Sequence, residues 1–347
     1  MSPRPGLYRR SPGVPFRSPF RLPFRRSFRG GRLGVLALAA AALLAGGASS
    51  AAADGPAGGS PGNFGGDSVQ HRGGDGHGHG WGHGGGHGGG HGWGRDVDYV
   101  AFGDSYAAGY GGGPLLDACG RTEQGYPALL DARRRVDLEA DATCAGATAL
   151  TTPSDAPVDL PEQVSNAAAS GTLNDRTDVV TVTIGGNDVR FGTVVAACAG
   201  TQLPATCAPA IEQASTYAST VLAPQLAAEF ARIAEAAPRA TLVVTGYPHL
   251  FETGAPGPLS ADAQALFNAG TDALNAVIAG QVPEDGVFVD VVDEFAGHGV
   301  GSADSWIRFD GGPFDLHPTE TGYRDGYTAA ILADAGSEFR TGCRGRG

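Results

Sequence analysis

Val179-Val180-Thr181-Val182-Thr183-Ile184-Gly185-Gly186-Asn187-Asp188 decides how the chain is read. The first six residues are all β-branched, which suits a strand buried on both faces. The two glycines then stop it in a tight turn. Working outward, 97–102 is a short apolar run that enters Gly103-Asp104-Ser105, and 136–143 is a weaker, alternating strand. Two more strands are expected over 242–245 and 287–292. Ala-rich helical stretches lie between them, notably 211–237, 261–279 and 320–335. Strands alternating with helices at this spacing predict an α/β domain, with a parallel sheet of about five strands covered on both faces. No internal repeat is apparent.

Three of the predicted strand ends carry chemistry. Ser105 follows the first strand, Gly146 the second and Asn187 the third. In an open parallel sheet, ligands bind beyond the carboxyl ends of the strands. A hydroxyl, a glycine amide and a carboxamide are therefore delivered to one edge. A serine hydroxyl is a weak nucleophile until an imidazole takes its proton. His317, in Asp315-Leu316-His317-Pro318 just before the last helix, is the candidate base. The tetrahedral oxyanion of acyl transfer needs donors already aimed at it. The backbone N–H of Ser105, the N–H of Gly146 and the side-chain amide of Asn187 are the three candidates.

Composition bounds the rest. Residues 1–53 contain nine Arg and no acid, and an apolar run over 33–45 is followed by Ala51-Ala52-Ala53. These are the parts of an export signal peptide. Arg25-Arg26-Ser27-Phe28 also resembles a twin-arginine signal. The apolar run is too short to span a bilayer comfortably, so the expectation is a secreted, extracellular protein with no stable membrane anchor. Without that leader the charge becomes 15 Arg against 36 acids, or −21, which excludes nucleic acid as a natural partner. Residues 54–95 are mostly Gly, with His71, His77, His79, His83, His87 and His91, and read as a disordered linker. Loose metal binding there is the livelier alternative. Residues 96–347 form the catalytic domain. None of the five cysteines makes a C-x-x-C pair. Cys198–Cys207, which bracket a Pro-containing loop, and Cys119–Cys144 are the expected disulfides, leaving Cys343 over.

Four blocks then carry a resemblance. Gly103-Asp104-Ser105-Tyr106-Ala107-Ala108-Gly109, Ala145-Gly146-Ala147-Thr148, Gly185-Gly186-Asn187-Asp188 and His317-Pro318 with Gly322 resemble, in order, the blocks of the SGNH/GDSL hydrolases, closest to their secreted actinobacterial esterase and lipase branch. The resemblance implies a flavodoxin-like three-layer α/β/α fold and carboxylic ester hydrolysis without metal or cofactor. It also implies Ser105 as nucleophile, His317 as base and Ser105, Gly146 and Asn187 as the oxyanion hole.

Two features depart from the family. Where it places Asp three residues before the histidine, this chain has Phe314, and Asp315 stands only two before. The reading leans to the Asp315 carboxylate turning to His317; a main-chain carbonyl of Phe314 or Asp315 is the alternative. A third disulfide of that branch is missing, since neither the 297–307 stretch nor the loop after Tyr247-Pro248 has a cysteine.

Plainer roles are expected elsewhere. Asp104 should bond within its turn, Asp188 should cap the following helix or brace the Asn187 turn, and His249 and His298 should be satisfied bystanders. Trp306 either lines an acyl pocket or packs, and Tyr110 with Gly111-Gly112-Gly113 could form a rim. The absence of a long apolar lid mildly favours soluble or short-chain esters, acting on a monomer, with activity rising as His317 deprotonates near pH 6.5. Phospholipid and carbohydrate O-acetyl esters use the same machinery and stay open. An α/β-hydrolase is disfavoured because its elbow is G-x-S-x-G and residue 107 is Ala. The non-enzymatic alternative is an extracellular metal binder acting through the His/Gly segment.

Overall fold

A computed structural model describes residues 95–150 and 156–340. The stretches expected as leader and linker, Arg95 excepted, and Cys343 lie outside the described residues. Arg95, the last linker residue, is already tied in: its guanidinium pairs with Asp98 and, at 2.7 Å, with Asp178.

Five parallel strands form one sheet in the order β2-β1-β3-β4-β5: β1 (Val97–Gly103), β2 (Val136–Asp141), β3 (Val179–Thr183), β4 (Thr241–Thr245) and β5 (Val287–Val289). This is the flavodoxin-like doubly wound order, and its switch point lies between β1 and β3. Every residue of β3 is buried, as its β-branched run requires of a central strand. β2 is an edge strand with Asp137 and Glu139 turned outward, the charged edge that discourages pairing with another chain. β5 is three residues shorter than the run over 287–292, because the Asp290 carboxylate accepts from Val292 N–H at 3.0 Å and turns the chain away.

The helices are α1 (Ser105–Ala108), α2 (Tyr126–Asp131), α3 (Leu160–Ser170), α4 (Phe191–Cys198), α5 (Cys207–Tyr217), α6 (Ala223–Ala236), α7 (Ala261–Ala279) and α8 (Ala329–Asp334). α2 packs with the C-terminal segment, while α3 to α7 pack among themselves, as a doubly wound sheet requires. α7 matches its expected bounds and is capped by the Ser260 hydroxyl. The stretch expected as one helix over 211–237 instead joins α5 and α6 through a π-turn, Ala218–Leu222. Pro224 has no N–H to return to the ladder, and a widened turn precedes it. A second π-turn, Gly322–Thr328, leads into α8. There a Cβ on Gly326 would lie 2.2 Å from the Phe295 ring, so glycine admits that ring against the helix. Sequence reading missed α3, although Asp159 and Glu162 spell its capping box.

Hydroxyls inside the sheet satisfy one another. Tyr99 meets Thr181 at 2.7 Å, Tyr126 meets Thr183 at 2.9 Å, and Thr183 meets Thr245 at 2.6 Å. Buried polar groups are tolerated when paired in this way. Among the described residues, no helix is long and apolar enough to cross a membrane.

Candidate active site

The turn that carries Ser105 begins at Gly103, whose φ is 132° and whose added Cβ would meet Thr183 O at 2.2 Å. Only glycine lets β1 lie this close to β3 and still turn. Gln163 of α3 seals the strand end, accepting from Gly103 N and donating to Gly103 O, both at 2.9 Å. Asp104 caps α1, its carboxylate accepting from Tyr106 N at 2.9 Å. Ser105 is thus the first helical residue, where an N–H has no intrahelical acceptor. Its Oγ stands 2.8 Å from His317 Nε2.

The histidine reaches that position through a loop pinned on both flanks. Arg308 N donates to His317 O at 2.8 Å, and Leu316 N donates to Arg308 O at 2.7 Å. The Tyr106 hydroxyl donates to Leu316 O at 2.5 Å. Leu316 has φ 64°, a left-handed conformation that costs a non-glycine residue about 1–2 kcal/mol and persists because its amide and carbonyl are both held.

His317 Nδ1 lies 3.0 Å from the main-chain oxygen of Asp315. A carbonyl only accepts, so Nδ1 carries the proton and Nε2 presents its lone pair to Ser105. The expectation that the Asp315 carboxylate turns to the histidine is therefore corrected. The carboxylate accepts from Asp310 N at 2.8 Å and Gly311 N at 3.1 Å, which closes the preceding loop. Asp315 orients the ring through its backbone.

The ring is enclosed by Tyr106, Tyr110 and Phe191, with centroids 5.3, 5.0 and 6.5 Å away. Burial lowers its pKa from the usual 6.5 to about 4, and the two main-chain contacts offset this only in part. An unshifted value near 6.5 does not hold for this ring.

On the opposite side, Asn187 donates one amide hydrogen to Ala147 O at 2.9 Å, which orients the carboxamide and leaves its second hydrogen. Asn187 and Ser105 line the same cavity. Gly146 has φ 86°, and its neighbours Ala145 and Ala147 donate to Cys119 O and Cys144 O. The Gly146 N–H itself meets no acceptor among the described residues. Of the two roles expected of Asp188, the helix cap is not made: the N-cap of α4 is Arg190, and no side chain caps it. The Asp188 carboxylate instead accepts from Ala149 N at 3.0 Å, joining the turn after β3 to the loop after β2. Burial raises its pKa to about 6.

His249 bonds Asp272 at 2.6 Å, and His298 stacks on Trp306 at 3.7 Å while meeting Asp304 O at 2.7 Å. Both are satisfied away from Ser105. Trp306 packs against Phe295 and does not line the cavity at Ser105. Tyr110 stands over His317 and Phe314. Cys119–Cys144 and Cys198–Cys207 are disulfides. Among the described residues, no three His, Cys, Asp or Glu cluster as a metal site would require.

Sequence reading missed the cavity walls. The recess beside Ser105 is lined by Phe191, Tyr247, Leu250, Phe267 and Leu274. A second, apolar recess adjoins it, shares Phe191, Phe267, Thr271 and Leu274, and continues past Ile211, Ala214 and Ala218. These residues come from α4, α5, α7 and a π-turn, so no contiguous signal marks them.

A doubly wound sheet with a serine–histidine pair at its switch point defines a hydrolase of the flavodoxin-like class, distinct from the G-x-S-x-G elbow enzymes. The chain belongs to the GDSL-like lipase/acylhydrolase family, whose pattern matches residues 101–324. A lipase of Streptomyces rimosus is 35% identical over 244 residues, which are 68% of this chain and 85% of that protein. The crystal structure of an extracellular lipase from the same species superposes with TM-score 0.58 at 32% identity, covering 68% of this chain and 99% of that one. A phospholipase A1 from Streptomyces albidoflavus gives TM-score 0.57 at 28% identity, covering 69% and 99%. The chain is accordingly a carboxylic ester hydrolase with the fold that its strand pattern implied.

Proposed function

We propose that the protein is a secreted serine esterase that cleaves esters of apolar acids, lipid esters included, through an acyl-enzyme on Ser105. The observation that carries this reading is the 2.8 Å contact between Ser105 Oγ and the unprotonated Nε2 of His317. As Oγ attacks the acyl carbon, its proton passes to Nε2, and the imidazolium is held by the Asp315 carbonyl. The carbonyl oxygen becomes an oxyanion facing the N–H groups of Ser105 and Gly146 and the free amide hydrogen of Asn187. Collapse expels the alkoxide, which takes the proton from Nε2. Water then loses a proton to Nε2 as it attacks the acyl carbon, and collapse breaks the bond to Oγ, which takes that proton back from Nε2, so the acid leaves and Ser105 and neutral His317 are restored.

The two adjoining recesses, which share four lining residues, offer an apolar bed for the acyl chain. They favour longer acyl groups over the short-chain esters that the absence of a lid suggested. Secretion is supported by the basic-apolar leader and by two disulfides, which persist in oxidising compartments. We read the working form as a monomer without a membrane anchor.

The test is hydrolysis of p-nitrophenyl esters from acetyl to palmitoyl, with diacyl phosphatidylcholine and acetylated xylan alongside. Ser105→Ala and His317→Ala should each lose at least ~10⁴-fold in kcat. Undiminished turnover in Ser105→Ala would end the reading. Preference for the phospholipid would narrow it to the activity named for the S. albidoflavus relative.

A further inference from the structure

We propose that Tyr247 is a positioning residue that sets the distance between the nucleophile and the oxyanion donor. It follows β4 and touches both turns with one oxygen. Its hydroxyl donates to the Asp104 carboxylate at 2.6 Å, next to Ser105. The same oxygen accepts from Gly186 N at 2.9 Å, next to Asn187. A Cβ at Gly186 would lie 3.2 Å from the tyrosine ring, so the absence of a side chain there gives the ring its approach.

The tyrosine is itself immobilised. Asn275 of α7 accepts from Tyr247 N at 2.9 Å and donates to Tyr247 O at 2.8 Å. The ring stacks edge-on against Tyr106 with centroids 5.2 Å apart. One rigid side chain thus spans the β1–β3 switch point from below and clamps Asp104-Ser105 to Gly186-Asn187. A displacement of about 1 Å in such a site costs about 10²-fold in rate. The hydroxyl contacts neither reacting atom; it works through its neighbours.

This role rests on Ser105 and Asn187 acting as proposed above. The experiment is a cycle of Tyr247→Phe and Asn187→Ala, read as kcat and KM on p-nitrophenyl butyrate, with affinity for butylboronic acid as a tetrahedral anionic mimic. Tyr247→Phe should lower kcat about 10–100-fold, leave KM within about threefold, and weaken the boronate by a factor similar to the kcat loss. In the Asn187→Ala background the same change should cost less than about twofold, because the donor it positions is gone. Asp104→Asn keeps the cap on Tyr106 N through its carbonyl oxygen, while its amide nitrogen cannot accept from the tyrosine hydroxyl, so it cuts the same bond from the other end and should behave alike; whichever variant folds decides the outcome. Losses that multiply fully across the cycle, or a Tyr247→Phe enzyme within twofold of wild type, overturn the role of Tyr247 alone. Turnover persisting in Ser105→Ala overturns the esterase reading, and the tyrosine's role falls with it.

Discussion

His317 Nδ1 and the main-chain oxygen of Asp315 stand 3.0 Å apart, while the carboxylate of the same aspartate faces the amides of residues 310 and 311. One residue therefore holds the base with its backbone and closes the loop with its side chain. Among the described residues no negative charge abuts the imidazole, so in the proposed acyl transfer the imidazolium is stabilised by a carbonyl dipole and not by an ion pair.

Removing the Asp315 carboxylate should accordingly be mild. Asp315→Ala keeps the carbonyl and loses only the loop closure, so kcat should fall about tenfold or less, against ~10⁴-fold for disabling a true triad acid. Steady-state turnover of a soluble ester measures it. A loss near the larger figure would show that the carboxylate swings to Nδ1 during catalysis.

Burial of His317 sets the acid limit of activity. The base must be neutral, and its pKa is lowered to about 4. Activity should be flat through neutral pH and mildly acidic solution, and fall as pH drops through about 4. The pH profile of kcat/KM reports the free enzyme's value directly. An inflection near 6.5 would mean a ring solvated as in a free peptide.

Asp104 makes the opposite contribution to stability. Its carboxyl is fully buried, and burial raises its pKa from 3.8 to about 7 despite the Tyr247 and Tyr106 bonds. The native state keeps a proton that the unfolded chain releases. Its contribution is complete below pH 3.8 and is lost as pH rises through about 7. His317, lowered from 6.5 to about 4, works against this: its contribution is complete above 6.5 and lost as pH falls through about 4. Asp104→Asn removes the first effect alone. The stability of wild type relative to this variant should therefore decline by a few kcal/mol, on the order of three pKa units, between pH 4 and 8. Urea melts of both proteins check this, and parallel curves would refute it.

The second apolar recess exists because Ala214, Ala218 and Gly270 are small where α5, the π-turn and α7 meet. Ala214→Leu should fill it. Acetyl and butyryl esters should react within about threefold of wild type, while palmitoyl esters lose about tenfold or more, the burial of about two or more methylenes at ~0.8 kcal/mol each. Equal losses at every chain length would place the acyl chain elsewhere.

The disulfide between Cys119 and Cys144 closes 25 residues of chain and ends two residues before Gly146. Replacing both cysteines by serine should cost about 3 kcal/mol and lower the melting temperature. An unchanged melting curve under oxidising conditions would show that the crosslink adds nothing to stability.

Much of this was legible along the chain. Strands end where β-branched runs meet glycine, and those signals are local, so β1, β3 and the residues just beyond them, Ser105 and Asn187, could be placed before any coordinates. α7 was found with its bounds because its serine cap and unbroken helical run lie together. The pairings Cys119–Cys144 and Cys198–Cys207 were legible as well. Of the two roles read for Asp188, the helix cap failed because a carboxylate after a strand usually finds the next helix, and here the amide of Ala149, 39 residues earlier, is nearer.

The amino-acid order alone determined the parallel α/β class, the four blocks and the candidates for nucleophile and base, because each depends on neighbours within a few positions. Which oxygen of Asp315 meets His317, how far that ring's pKa falls, and which side chains line the recess beside Ser105 were decided only by the folded chain. The left-handed turn at Leu316 is held by Tyr106, 210 residues away. The cavity walls are assembled from helices far apart in sequence. Such contacts are set by packing across the sheet, and no local stretch of residues encodes them.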